Sequence, residues 1–205
     1  MKHRKLVRMM GVLAVAALGF GSGCETPLDE SSVKESGVEP GGGLASMEKN
    51  GVVRRATGGG HYLLSATFDV EFALSAVAMP DGQASGQFHQ SLVADGLLIE
   101  FHGEVICMTV DEVNGRAWIG GVITENNSTD PAFQGAIHQP GRDIWFRVLD
   151  LGSGSSEADR TTFLGFEGSA GIFTSEEYCE TMPWPDANAR THPVTSGNIE
   201  VSATP

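Results

Sequence analysis

The chain has 205 residues, 40% of them hydrophobic, with 26 acids against 13 Lys and Arg for a net charge of −13, enough for one globular domain plus tails and too little for two large ones. Aromatic residues at 7% and recurring short apolar runs take it out of the disordered class. The scarcity of bases excludes a surface built to hold nucleic-acid phosphates.

The N-terminus reads as an export signal. Lys2, His3, Arg4, Lys5 and Arg8 form a basic start, and Met9 to Phe20 form an apolar run of the length of a signal h-region, too short to span a bilayer comfortably. Gly21-Ser22-Gly23-Cys24 follows and resembles a bacterial lipoprotein signal, in which the Cys is lipidated and becomes the new N-terminus. Gly21 stands where such signals usually carry Leu, and conventional cleavage near Gly23 would instead leave an unlipidated secreted protein. Residues 1–23 are thus expected as a signal peptide. The partner this implies is a membrane, reached through a lipid at Cys24, and the location is the cell envelope or the exterior. Beyond the signal the charge is nine bases against 26 acids, or −17.

With Cys24 assigned to the lipid, Cys107 and Cys179 remain as an even pair, which in an oxidising compartment points to a disulfide, with two separate buried thiols as the alternative. Such a bridge would close a loop of about 70 residues and contribute roughly 4 kcal/mol in the chain-entropy picture.

Residues 24–58 are rich in Ser, Gly, Glu and Pro around Pro40-Gly41-Gly42-Gly43 and read as a flexible tether spanning roughly 30 Å as a coil. The other possibility is an arm pairing with the sheet through Gly51-Val52-Val53. Residues 59–205 read as a β domain with an irregular C-terminal tail. Phe68, Val70, Phe72, Leu74, Ala76 and Ala78 alternate with Asp69, Glu71, Ala73, Ser75 and Val77, the period of a half-buried strand. Pro80-Asp81-Gly82 supplies a turn, and Ala84 to His89 the hairpin partner. A strand follows from Leu97 to His102, then Gly103 as a bulge or bend, then a strand from Glu104 to Asp111. Asn114-Gly115 predicts a type I′ hairpin turn into a strand from Arg116 to Thr124, within which Gly120-Gly121 implies close backbone approach or a barrel corner. Asp143 to Leu151 and Thr161 to Phe166 complete the strands.

At least six successive strands with tight turns predict an all-β fold, an antiparallel meander arranged as a barrel or sandwich of about six to eight strands. Phe68, Phe72, Phe88, Ile99, Phe101, Ile119, Ile144 and Phe146 are its expected interior. A barrel of this size can also enclose one small ligand.

The stretches Asp81 to Phe88, His102 to Cys107, Ala117 to Ile123 and Trp145 to Val148 together resemble a set of small exported bacterial proteins in which a His-Gly-x-Val-x-Cys strand precedes an Asn-x-Ala-x-x-Gly-Gly hairpin strand. The resemblance spans roughly residues 60 to 180, with a longer connection at Asp111 to Arg116. That set carries no assigned activity, so the resemblance implies export and a β fold and transfers no catalytic residue.

One face could carry chemistry. Glu100, His102 and Glu104 fall at i, i+2 and i+4, so an unbroken strand presents them together, with Gln87 and His89 facing them from the neighbouring strand. Two carboxylates and imidazoles could bind a divalent transition metal, or a Glu could act as base beside a His acid. A plain solvated sheet face would show the same alternation. The acidic loop Asp150 to Asp159 could wrap Ca²⁺ but lacks EF-hand spacing and reads better as a hydrated loop. Paired-Cys zinc spacing, a nucleophile elbow and a phosphate loop are lacking, so no cofactor is implied. His61, His138 and His192 read as loop residues, and Trp184 between Pro183 and Pro185 as packing the tail on the barrel. The functional expectation is an exported, lipid-anchored β domain with a structural or binding role toward an unidentified small molecule or protein. The alternative is a metal-dependent enzyme using the Glu100, His102 and Glu104 face.

Overall fold

The computed structural model describes residues 51–185, 188 and 190–204. The expected signal peptide, Cys24 and residues 24–50 of the tether lie outside the described residues. In chain order the strands are β1 (Val53–Leu63), β2 (Asp69–Ala78), β3 (Ala84–Ala94), β4 (Leu97–Asp111), β5 (Arg116–Asn126), β6 (Asp143–Leu149), β7 (Arg160–Thr162), β8 (Gly165–Phe166) and β9 (Thr191–Thr204), with one short helix, α1 (Ser175–Thr181), before β9. All pairings are antiparallel. Strands β1 to β6 pair in sequence, β7 bridges β6 to β9, and β9 returns to β1. The sheet therefore closes into an eight-stranded barrel, with β8 an extra pairing on β6, and closure removes the exposed edges of a sandwich or open meander.

Both ends of the β domain differ from expectation. Residues 53–58, read as tether, are the first half of β1, which pairs with β9 from Val53↔Thr204 to Tyr62↔Val194. The run Gly58-Gly59-Gly60 has the composition of a linker, yet it serves close packing: a Cβ on Gly60 would sit 1.9 Å from the Ser196 carbonyl oxygen. The tail read as irregular contains β9, the 14-residue strand that closes the barrel. Its sequence is polar and contains Pro193 and Gly197, and within it the buried positions are Thr191, Val194 and Ile199, so no apolar alternation marks it.

The turns follow local chemistry. Asp95 and Gly96 both have positive φ, 51° and 83°, the type I′ pattern of a two-residue hairpin. Asn114-Gly115 does not form that turn. Four residues, 112–115, separate the paired Asp111 and Arg116; Gly115 is left-handed at φ 61°, and the Asp111 carboxylate accepts the Asn114 N–H at 3.2 Å and its Nδ2–H at 2.7 Å. The two residues beyond a tight hairpin are held by that Asp side chain.

Alternation places Phe72, Leu74, Phe88, Ile99, Phe101, Ile119, Ile144 and Phe146 in the lumen, with Tyr62, Ile123, Phe166 and Ile199 added from other strands. Phe68 lies at the margin, partly buried against this core. These side chains pack into one core inside the barrel, which weighs against a ligand enclosed there. A polar pair is buried among them: the Tyr62 hydroxyl donates to Gln90 Oε1 at 2.7 Å, and Gln90 is 2% exposed.

A second apolar cluster of Trp118, Trp145, Ile172 and Tyr178 packs on the outside of β5 and β6, with Trp184 against it as expected. Helix α1 covers this wall. Thr174 caps it by accepting the Glu177 N–H at 3.1 Å, and the Cys107–Cys179 disulfide, spanning 72 residues, ties it to β4. The expected close approach at Gly120 is real: a Cβ there would meet Cys107 Sγ at 2.6 Å and Ser175 Cβ at 2.7 Å.

Of the three histidines read as loop residues, two lie in strands, and His138 ends a short 3-10 turn between β5 and β6. His61 lies in β1, its Nδ1 3.4 Å from Asp69 Oδ2. His192 lies in β9 and stacks on Tyr62 at 5.7 Å. His138 is buried among the rings of Phe101, Phe133 and Phe166.

Candidate metal centre

The site is set by the register of β3 against β4: Gln87↔Glu104, His89↔His102, Ser91↔Glu100. The intervening residues Phe88, Gln90, Leu92, Ile99, Phe101, Gly103 and Val105 point inward and are buried. Because a one-residue slip would turn all of them out, the core locks His89, Glu100 and His102 onto the outer wall. The expected bend at Gly103 does not occur on this side of β4, where pairing continues unshifted from Glu100 to Glu104. The irregularity falls on the β5 side, between His102 and Gly103, and it leaves Glu125 opposite His102. Gly103 is required because the Phe88 ring fills its inner face; a Cβ would lie 2.2 Å from the Phe88 Cζ.

Within the five-residue face expected from the sequence, the structure brings three side chains together. His102 Nε2 lies 3.0 Å and His89 Nε2 3.4 Å from Glu100 Oε1, and the two imidazoles are 4.5 Å apart between centroids. One ligand atom from each of the three lies within 4.8 Å of the others. Gln87 and Glu104 pair with each other one row along the same wall and are not in this group. All three grouped residues are half-buried. The hydrogen bond with His102 holds the Glu100 carboxyl below its ordinary value, partial burial opposes that, and the charges of His102 and His89 add to the lowering. Glu100 is therefore anionic at neutral pH.

The backbone of Glu100 is pinned as well. Its N–H donates to Ser128 Oγ at 3.0 Å, and its carbonyl accepts the Asn127 N–H at 3.1 Å. Residues 127–130 act as a short brace along β4, where Thr129 also bonds the backbone of Leu98. Open grooves flank the group, one of about 300 Å³ past His89 over Gly58 and Ala73 and one of about 210 Å³ past His102 toward Glu104 and Glu125.

Two imidazole nitrogens and one carboxylate oxygen suit zinc, copper(II), nickel or iron(II) and suit calcium or magnesium poorly, since the latter prefer all-oxygen shells. Three protein ligands leave at least one coordination position open. The acidic loop does different work from the calcium site considered for it. Asp159 accepts the N–H groups of Leu151 and Ile199, and Asp150 those of Gly152 and Val201, all at 2.7 to 3.0 Å. Its first and last carboxylates are spent on backbone, largely to hold β9. Among the described residues no helix is long and apolar enough to cross a membrane. Comparison with protein families, with curated proteins and with solved structures finds no match.

Proposed function

We propose that this chain is an exported β-barrel, held at the cell envelope by a lipid on Cys24, that binds one divalent transition-metal ion on its outer wall through His89, Glu100 and His102. The observation that carries the metal reading is the convergence of those three ligand atoms within 4.8 Å on strands whose register the core holds. The basic start, the apolar run and Gly21-Ser22-Gly23-Cys24 support export and anchoring, and a disulfide is compatible with an oxidising compartment. The ligands lie on an open wall and not in an enclosing cavity, which favours binding over the metal-dependent catalysis that the same face suggests.

Two measurements test this. Mass spectrometry of protein from the native envelope reads the N-terminus: a diacylglyceryl Cys24 is expected, and an unmodified N-terminus would remove the anchor. Calorimetric titration of the metal-free protein with Zn²⁺ and Cu²⁺ is expected to give one site, abolished in His89→Ala and His102→Ala and retained in Gln87→Ala and Glu104→Gln. Equal affinity in all four variants would overturn the metal reading.

A further inference from the structure

A second site lies on the opposite wall, in a pocket of about 350 Å³ between β6, the β7 to β8 segment, α1 and the start of β9. Its volume sits at the lower end of the range for small-molecule sites. Trp145 and Tyr178 form part of its lining, stacked at 5.7 Å with 22° between their planes, and Leu64, Phe163 and Leu164 add apolar surface. At its rim the Arg190 guanidinium lies over the Trp184 ring, 4.5 Å from its centroid.

The polar groups of this lining are unbalanced. Among the described residues neither the Trp145 Nε1–H nor the Tyr178 hydroxyl has a hydrogen-bond partner, although both residues are at least 97% buried. Burial pushes the Tyr178 hydroxyl well above its ordinary value, so it stays a donor. Thr162 and Ser169 each already accept a backbone N–H at 3.0 Å, which leaves each hydroxyl its hydrogen and one lone pair. The described lining holds Arg190 and no Asp, Glu, Asn or Gln, in a chain whose acids outnumber its bases two to one; burial holds its His192 imidazole below the ordinary value.

From this we infer that the pocket binds a small aromatic carboxylate, its ring against the half-buried Leu64, Phe163 and Trp184 and its carboxylate taking the N–H and O–H donors and Arg190. A sugar of the same size fits less well, because the described lining supplies no carboxylate or side-chain amide to accept from its several hydroxyls and only single lone pairs on Thr162 and Ser169 beside the donors. Aromatic rings against a planar guest and a guanidinium for a carboxylate are the pairings such chemistry favours.

Calorimetry on the full chain with indole-3-acetate, with uncharged indole and with glucuronate separates the possibilities. Indole-3-acetate is expected to bind with Kd below about 1 mM, indole about tenfold more weakly, and glucuronate not at all. Tyr178→Phe and Arg190→Gln, both checked for an unchanged melting temperature, are each expected to weaken indole-3-acetate about fivefold or more; His102→Ala is expected to leave it unchanged. No binding of indole-3-acetate, equal affinity for indole, full affinity in both pocket variants, or preference for glucuronate would each overturn the assignment.

Discussion

His89 and His102 stand directly opposite each other on β3 and β4, with ring centroids 4.5 Å apart and both Nε2 atoms turned toward Glu100 Oε1. The proposed metal site exists only in the folded chain, because unfolding loses the register that joins its two imidazoles and carboxylate. Metal should therefore stabilise the fold. At free Zn²⁺ near 100 times Kd the gain is expected to be about 2.7 kcal/mol, reversed by a chelator and absent in His89→Ala and in His102→Ala. Chemical denaturation with and without Zn²⁺ measures it.

Gly103→Ala places a methyl group where the Phe88 ring lies. The ring cannot stay, so a loss of about 1 to 3 kcal/mol is expected from overpacking. Because Phe88 and Gly103 pair between the His89↔His102 and Gln87↔Glu104 rows, Zn²⁺ affinity should fall as well, although no ligand is altered. Urea midpoints and a zinc titration of one variant read both effects.

Asp159→Ala removes the acceptor of both the Leu151 and the Ile199 N–H. These are charge-assisted bonds to half-buried backbone, and about 2 kcal/mol of stability should go with them. Amide exchange is expected to quicken along β9 more than along β3 or β4, because β9 leans on this side chain beyond the end of its pairing with β7.

His138 contributes to destabilisation in acid, as His192 does by the same burial. Burial among Phe101, Phe133 and Phe166 holds the His138 imidazole below the ordinary value of 6.5, and its Nδ1 is buried without a partner. A lowered folded value means that the unfolded chain takes up the proton first. Stability is therefore complete above about pH 6.5 and declines as the pH falls from there through the folded value. His138→Leu should lessen that decline while changing little at about pH 8. Urea denaturation across that interval decides it.

Cys107 and Cys179 close a 72-residue loop, so Cys107→Ser with Cys179→Ser should lower stability by about 4 kcal/mol. Because the bridge fastens α1 over Trp118 and Trp145, tryptophan fluorescence should shift to the red in the variant even under native conditions.

Much of this protein was legible in one dimension. Alternation in residues 68–78 and 84–89 reported half-buried strands because side chains in a strand point to opposite faces in turn, and the i, i+2, i+4 spacing of Glu100, His102 and Glu104 put them on one wall for the same reason. The pairing of Cys107 with Cys179 followed from parity once Cys24 was set aside. A barrel was one of the two arrangements expected, but the strands that close it were not legible. β1 carries a glycine run and β9 a polar sequence, and their mutual pairing completes a ring that β2 on one side and β7 on the other begin, with Asp150 and Asp159 bracing β9. Nor could spacing choose His89, Glu100 and His102 from the five residues of that face. That choice depends on the β3 to β4 register, which is held by Phe88 packed over Gly103, a contact between strands. Local periodicity is a property of the chain, whereas register and closure are properties of pairs of segments far apart in it, and only their packing decides them.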